Sequence, residues 1–139
     1  MTLNSRPALQ TALAHRSIRR FTAEPVSDEM LSAVLEAARA SSTSSYLQNG
    51  SIIRVTDIAV RKELRAACAA EGGAGHAYVE HCANFLFFCI DAARHHALDD
   101  AVQTDWTEVL LIGAIDAGIM AQNMVLTAES LGLGAVYIG

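Results

Sequence analysis

Residues 15–21, His-Arg-Ser-Ile-Arg-Arg-Phe, crowd three arginines, a histidine and a hydroxyl into six positions of a chain with formal charge −5. Arginine presents a planar fork of donors matched to phosphate oxygens, and a serine hydroxyl or an open backbone N–H completes such a cradle. Two readings stand side by side. The stretch is either a seat for the phosphate of a small anionic ligand or a solvated basic turn whose arginines pair with surface carboxylates. A second concentration of polar groups is Ser41, Ser42, Thr43, Ser44 and Ser45, followed by Tyr46 and Leu47. Consecutive hydroxyl residues compete for backbone hydrogen bonds and disfavour a regular helix. This run reads as a loop, either a flexible linker or a segment anchored by Tyr46 and Leu47.

Other chemistries find less support. His76, His81, Cys82, Cys89, His95 and His96 include no pair at C-x-x-C or H-x-x-x-H spacing, so no metal site is predicted. There is no nucleophile elbow, and neither Asp91 nor Asp116 has a signalled partner, so no catalytic side chain is assigned. Glu71-Gly72-Gly73-Ala74-Gly75 lacks both the G-x-G-x-x-G spacing and the lysine of a P-loop. It breaks a helix and forms a mobile loop.

The elements that must position these groups follow from capping and periodicity. Ser5 caps a first helix, with Pro7 in its opening turn and Leu9 and Leu13 on one face; this helix delivers the chain to His15. A second helix starts at Ser27 and runs to about Arg39, burying Leu31, Val34, Leu35 and Ala38. Residues 52–56 are rich in β-branched side chains and read as a strand, after which Asp57 caps a helix carrying Val60, Leu64, Ala67 and Cys68. A short helix near Tyr78 and Val79 precedes residues 85–90, a continuous apolar run expected of a strand buried on both faces. A long helix capped by Thr104 and closed by Gly132 is apolar on every side from Val109 onward, and in a small domain a second copy can cover such a surface. Residues 134–139 read as a final strand.

One domain, residues 1–139, suits this length, and 52% apolar with 18% charged residues can fill a core. A pI near 5.4 without a further basic stripe argues against nucleic acid. Cys68, Cys82 and Cys89 are odd in number and unpaired by motif, which favours a reducing, cytoplasmic setting. The N-terminus shows no secretory signal, and the apolar run 109–120 is interrupted by Asp116, so neither export nor a membrane segment is expected.

Four separated passages, H-R-S-I-R-R-F at 15–21, A-R-A-S-S-T-S-S-Y-L-Q at 38–48, S-I-I-R-V-T-D at 51–57 and M-A-Q-N-M-V-L-T-A-E-S-L-G-L-G-A-V-Y-I-G at 120–139, together resemble the oxygen-insensitive NADPH nitroreductases and flavin reductases of the nitroreductase superfamily. The resemblance covers nearly the whole chain and favours the phosphate seat. It implies an α+β fold, a mixed sheet flanked by helices with a long central helix at a homodimer interface, and FMN at two sites on that interface. His15, Arg16, Ser17 and Arg19 match the residues that hold the FMN phosphate and ribityl chain. Thr43 and Ser45 match residues reaching the flavin, and Ser44 and Tyr46 match residues facing the substrate. Tyr137, Ile138 and Gly139 match a strand end whose backbone approaches the flavin ring, and His76 stands where this branch commonly has a cofactor-touching glutamine.

The resemblance is to the first part of the family pattern. The family continues into an arginine associated with NADPH, a lysine and an arginine near the ring, and an extension around the partner subunit. The implied activity is two-electron reduction of nitroaromatics or quinones by NADPH through FMN, with anchoring of the phosphate expected to outlast turnover in this chain. An NADPH-dependent flavin reductase and a non-catalytic FMN-binding or interaction module are the alternatives.

Overall fold

The computed structural model describes residues 6–69 and 73–138. Along it run α1 (Pro7–Ala14), α2 (Asp28–Arg39), β1 (Gly50–Val55), α3 (Ile58–Ala67), α4 (Tyr78–His81), β2 (Phe85–Ile90), α5 (Ala93–His96) and α6 (Thr107–Ser130). Ser27 caps α2 by accepting from the Met30 N–H at 3.2 Å, while Asp28 and Glu29 sit at the positive end of its dipole. Its Val34 and Ala38 meet Met124 and Ala128 of α6, and Ile52, Leu86 and Phe88 close the cluster from the sheet. The core therefore lies between two helices and one face of two strands.

The strands pair antiparallel, with Ile52 opposite Phe88 and Ile53 opposite Phe87. Alternation sends the first pair into the core and leaves Ile53 and Phe87 exposed, so β2 is not buried on both faces as its unbroken apolar run suggested. Among the described residues the sheet consists of these two antiparallel strands, and the parallel pairing is an isolated bridge between Ser17 and Ala135 outside it. The tail makes that one bridge and no strand among the described residues, and Gly139 lies outside them.

Several local expectations are corrected. Ser5 lies outside the described residues, and α1 buries no side chain. Asp57 caps α3 through the Ala59 N–H at 2.7 Å, but the buried residue of that helix is Arg61, not Val60 or Ala67. Arg61 reaches the carbonyls of Val55 at 2.8 Å and Cys82 at 2.7 Å, which satisfies its guanidinium and ties the end of β1 to the entry of β2. Thr104 does not cap α6. Its hydroxyl is engaged by His96 Nε2 at 2.6 Å, and the helix starts at Thr107 without a side-chain cap. Gly132, at φ +80°, closes α6 as expected.

Helix α6 divides its apolar surface. Gly113, Asp116, Ala121, Met124, Val125 and Ala128 are buried, while Leu110, Leu111, Ile115 and Ile119 form an exposed ridge, with Ile115 63% accessible. By length and a mean hydropathy of 1.7 this helix could cross a membrane, despite the interruption at Asp116. Its inner face packs against α2, the strands and α1.

Candidate functional site

The basic stretch and the tail meet beside the C-terminal half of α6. Ile18 N–H donates to Ala135 O at 2.9 Å, and Gly134 lies so close to Ile18 that an added methyl would stand 2.9 Å from its Cγ1. The absence of a side chain at Gly134 is what lets these two segments touch. His15 Nδ1 is 2.7 Å from Glu129 Oε1, and Tyr137 Oη donates to Gln122 Oε1 at 3.2 Å, so α6 holds one residue of each segment. Burial, and then the Glu129 charge, push the Tyr137 hydroxyl pKa above its ordinary 10.0, which keeps it a donor.

Arg16, Ser17 and Arg19 are exposed. Arg16 Nη1 donates only to the neighbouring His15 carbonyl at 2.6 Å, and among the described residues Arg16, Arg19 and Arg20 make no ion pair. The solvated-turn reading pairs these arginines with surface carboxylates, and among the described residues no such pair is formed. A cluster of unneutralised guanidinium groups in a chain of net charge −5 fits an anionic phosphate group. His76 joins from the other side. It stacks on Tyr78 at 4.9 Å, and Tyr78 meets Phe21, the last residue of the basic stretch, edge-on at 6.3 Å. Of the glycine loop before it, Glu71 and Gly72 lie outside the described residues, while Gly75, at φ +62°, lies against the Arg65 backbone, and Arg65 also binds Ala74 O at 2.9 Å and Glu80 Oε1 at 2.7 Å.

The hydroxyl run stands elsewhere. It is not a flexible linker: Ser44–Tyr46 forms a 3-10 turn. The Ser44 N–H donates to both oxygens of Asp116, at 3.2 and 3.1 Å, and Asn123 Nδ2 donates to Ser41 Oγ at 3.0 Å. Ser45 and Tyr46 are exposed, while Thr43, with Ser41, Gln48, Arg39, Arg94 and Met120, lines a cleft of about 430 Å³. Asp116, which holds the turn, and Glu129, which holds His15, are separated by about 20 Å along α6 and by roughly 220° of helical rotation. Within one chain the structure joins the stretch carrying His15, Arg16, Ser17 and Arg19 to the tail through the Ser17–Ala135 bridge, ties His15 and Tyr137 to the same half of α6, links His76 to the stretch through Tyr78 and Phe21, and holds the turn of Thr43, Ser44, Ser45 and Tyr46 at the other half of α6.

Sequence reasoning missed Glu129, Gln122, Asp116 and α5. Only Asp116, a lone charge in an apolar helix, carried a signal, and its partner proved to be a backbone N–H. Asp91 also has partners: Ser51 Oγ donates to it at 2.8 Å, and Arg94 lies 3.6 Å away. Among the described residues no cluster of three or more His, Cys, Asp or Glu is arranged to hold a metal ion.

An α+β core with a central apolar helix, and a cationic stretch bridged to a glycine-bearing tail, define the class. The chain belongs to the nitroreductase family, whose pattern it matches over residues 12–139. It is 54% identical over 131 residues to the NADPH-flavin oxidoreductase of Vibrio harveyi, covering 94% of this chain and 52% of that protein. It is 46% identical over 133 residues to the oxygen-insensitive NADPH nitroreductase of Salmonella typhimurium, covering 96% and 53%. The fold superimposes with a TM-score of 0.89 on the solved NADPH:FMN oxidoreductase of Vibrio harveyi complexed with NAD+, over 96% of this chain and 56% of that one. The chain thus spans about half the length of these relatives.

Proposed function

We propose that the chain serves an FMN-dependent oxidoreductase that draws electrons from NADPH and delivers them in pairs to nitroaromatic or quinone acceptors. The observation that carries this reading is the set of unpaired Arg16 and Arg19 guanidiniums, joined to the tail through the Ser17–Ala135 bridge. Arg16, Arg19 and the Ser17 hydroxyl would hold the FMN phosphate, and His15, oriented by Glu129, would face the ribityl chain. Tyr137, Ile138 and Gly139 would offer backbone to the ring, with His76 at its edge. FMN, when bound, supplies the hydride chemistry, and the protein supplies position and positive charge. That division of labour agrees with a site that has no side-chain nucleophile.

The separation of the hydroxyl turn from the phosphate seat supports a site shared between two copies of the chain. In a homodimer packed through the ridge of Leu110, Leu111, Ile115 and Ile119, residues 43–46 of one copy would complete the flavin and acceptor site of the other. The three free thiols agree with a cytoplasmic setting.

The test is anaerobic titration of the FMN-reconstituted protein with NADPH, following visible absorbance beside free FMN. Bleaching well above the control supports the reductase. Bound flavin without accelerated bleaching means that these residues hold the cofactor without using it, the outcome shared by an impaired reductase and the non-catalytic binding module. A second enzymatic reading, reduction of free FMN as the acceptor, is favoured by the higher identity to the flavin oxidoreductase, and it predicts that added FMN accelerates NADPH oxidation more than a nitroaromatic does.

A further inference from the structure

Ser45, Tyr46 and Gln48 have φ of 49°, 57° and 51°, left-handed values that side chains with a Cβ adopt at a cost. Such a backbone persists only when its surroundings over-determine it. Here the constraints bracket the turn. On the side of α6, the Ser44 N–H meets the Asp116 carboxylate and Ser41 meets Asn123, two helix residues that project toward the same segment. On the side of α5, Arg94 Nη1 donates to Gln48 O at 2.9 Å, and His95 Nε2 lies 2.8 Å from Leu47 O. Inside the turn, the Gln48 N–H donates to Thr43 Oγ1 at 3.3 Å. The Tyr46 N–H closes the turn on Thr43 O at 3.2 Å, the side-chain anchors flank Ser45 and Tyr46, and Tyr46 itself is 78% exposed.

Asp116 is 3% exposed, and among the described residues the Ser44 N–H is its one hydrogen-bond donor. A buried carboxylate is costly unless its bond does something an apolar residue could not. We propose that Asp116 is a positioning residue: from inside the fold it holds the 43–48 turn in its left-handed form, with Arg94 and His95 closing the far end, so that Ser45 and Tyr46 are presented already ordered. The inference rests on the reading above in one respect, that this turn meets flavin or acceptor, and the experiment separates the two.

The reporter is Tyr46→Trp in a Trp106→Phe background, which places the single tryptophan of the chain on the turn. Asp116→Ala should lower the tryptophan anisotropy and raise acrylamide quenching severalfold while far-UV circular dichroism is kept. Asp116→Asn, which retains an oxygen to accept from Ser44, should restore both. Without the reporter, Asp116→Ala should raise the acceptor KM about tenfold, the scale of one lost hydrogen bond to a charged group, with kcat little changed, and Asp116→Asn should stay within about twofold. Unchanged anisotropy in folded Asp116→Ala overturns the positioning role. A loosened turn with unchanged KM upholds that role and overturns the assignment of the turn to the acceptor site. If Asp116→Ala does not fold, Arg94→Ala/His95→Ala removes the far anchors without touching α6, and an unchanged anisotropy there overturns the proposal.

Discussion

Two glycines of α6 should respond to the same substitution with opposite signs. At Gly113 an added methyl would stand 2.6 Å from Ile90 Cγ2 and 3.0 Å from Asn49 Nδ2. Neither neighbour can swing aside: Ile90 is β-branched and fixed in register opposite Gly50, and Asn49 is fully buried. At Gly118 the same methyl meets nothing within 4 Å. Glycine to alanine inside a helix gains about 0.8–1.0 kcal/mol in propensity, whereas overpacking a filled core costs about 1–3 kcal/mol. Gly118→Ala should therefore stabilise by about 1 kcal/mol, and Gly113→Ala should destabilise by about 0–2 kcal/mol. The propensity gain cancels between the two variants. Their difference, about 1–3 kcal/mol, isolates the contact between α6 and β2. Urea unfolding followed at 222 nm measures it, at protein concentrations spanning tenfold so that any association through the adjoining apolar ridge is read separately. Equal stability of the two variants would refute the close approach of α6 to β2. Because Asp116 lies one turn beyond Gly113 on the same buried face, the close approach also sets where the 43–48 turn is held.

Two further outcomes test individual parts of the structure. Ser27→Ala removes the side-chain cap of α2 and should cost about 1 kcal/mol by the same denaturation assay, with no loss if the Met30 bond is absent in solution. For Tyr137, burial raises the pKa, so the folded chain favours the protonated hydroxyl; its contribution to stability is complete below the ordinary 10.0 and lost as pH rises through the higher folded value. The tyrosinate absorbance of the parent minus that of Tyr137→Phe should accordingly show a midpoint above 10.0, and a midpoint at or below it would contradict the partial covering of this half-exposed side chain.

The legible parts of this fold were those governed by one local rule at a time. Ser27 and Asp57 had no competitor for their N–H groups, and both cap as read. Thr104 offered the same signal but had a competitor, His96, in a helical turn too short to show any period. Periodicity likewise placed α2 correctly, because its apolar stripe of Leu31, Val34 and Ala38 is the face it buries. In α3 it missed the buried residue, because an arginine satisfied by carbonyls of two other segments looks like a surface residue in sequence. The hydroxyl run was legible as non-helical, but not as left-handed, since what holds it there comes from Asp116 and from α5, far away in the chain.

The same distinction explains which half of the site could be read. The proposed phosphate seat is contiguous: residues 15–19 would supply its charge, hydroxyl and backbone in one stretch, and Gly134 lets the tail reach that stretch. The hydroxyl turn, assigned to the site only by resemblance, is held at Asp116, about 20 Å along α6 from Glu129, which holds His15, a separation no linear pattern contains. A helix that buries one face and leaves an apolar ridge on another reconciles the two. Its inner face fixes seat and turn at set positions within one chain, and its outer face offers the surface across which a second copy would bring its own turn to that seat. On this argument, Ile115→Glu should do more than weaken association: by charging the ridge it should separate turn from seat and lower FMN affinity, although Ile115 touches neither. Size-exclusion mass and FMN titration on that variant should change together. Loss of the dimer with undiminished FMN binding would show that one chain's seat is sufficient.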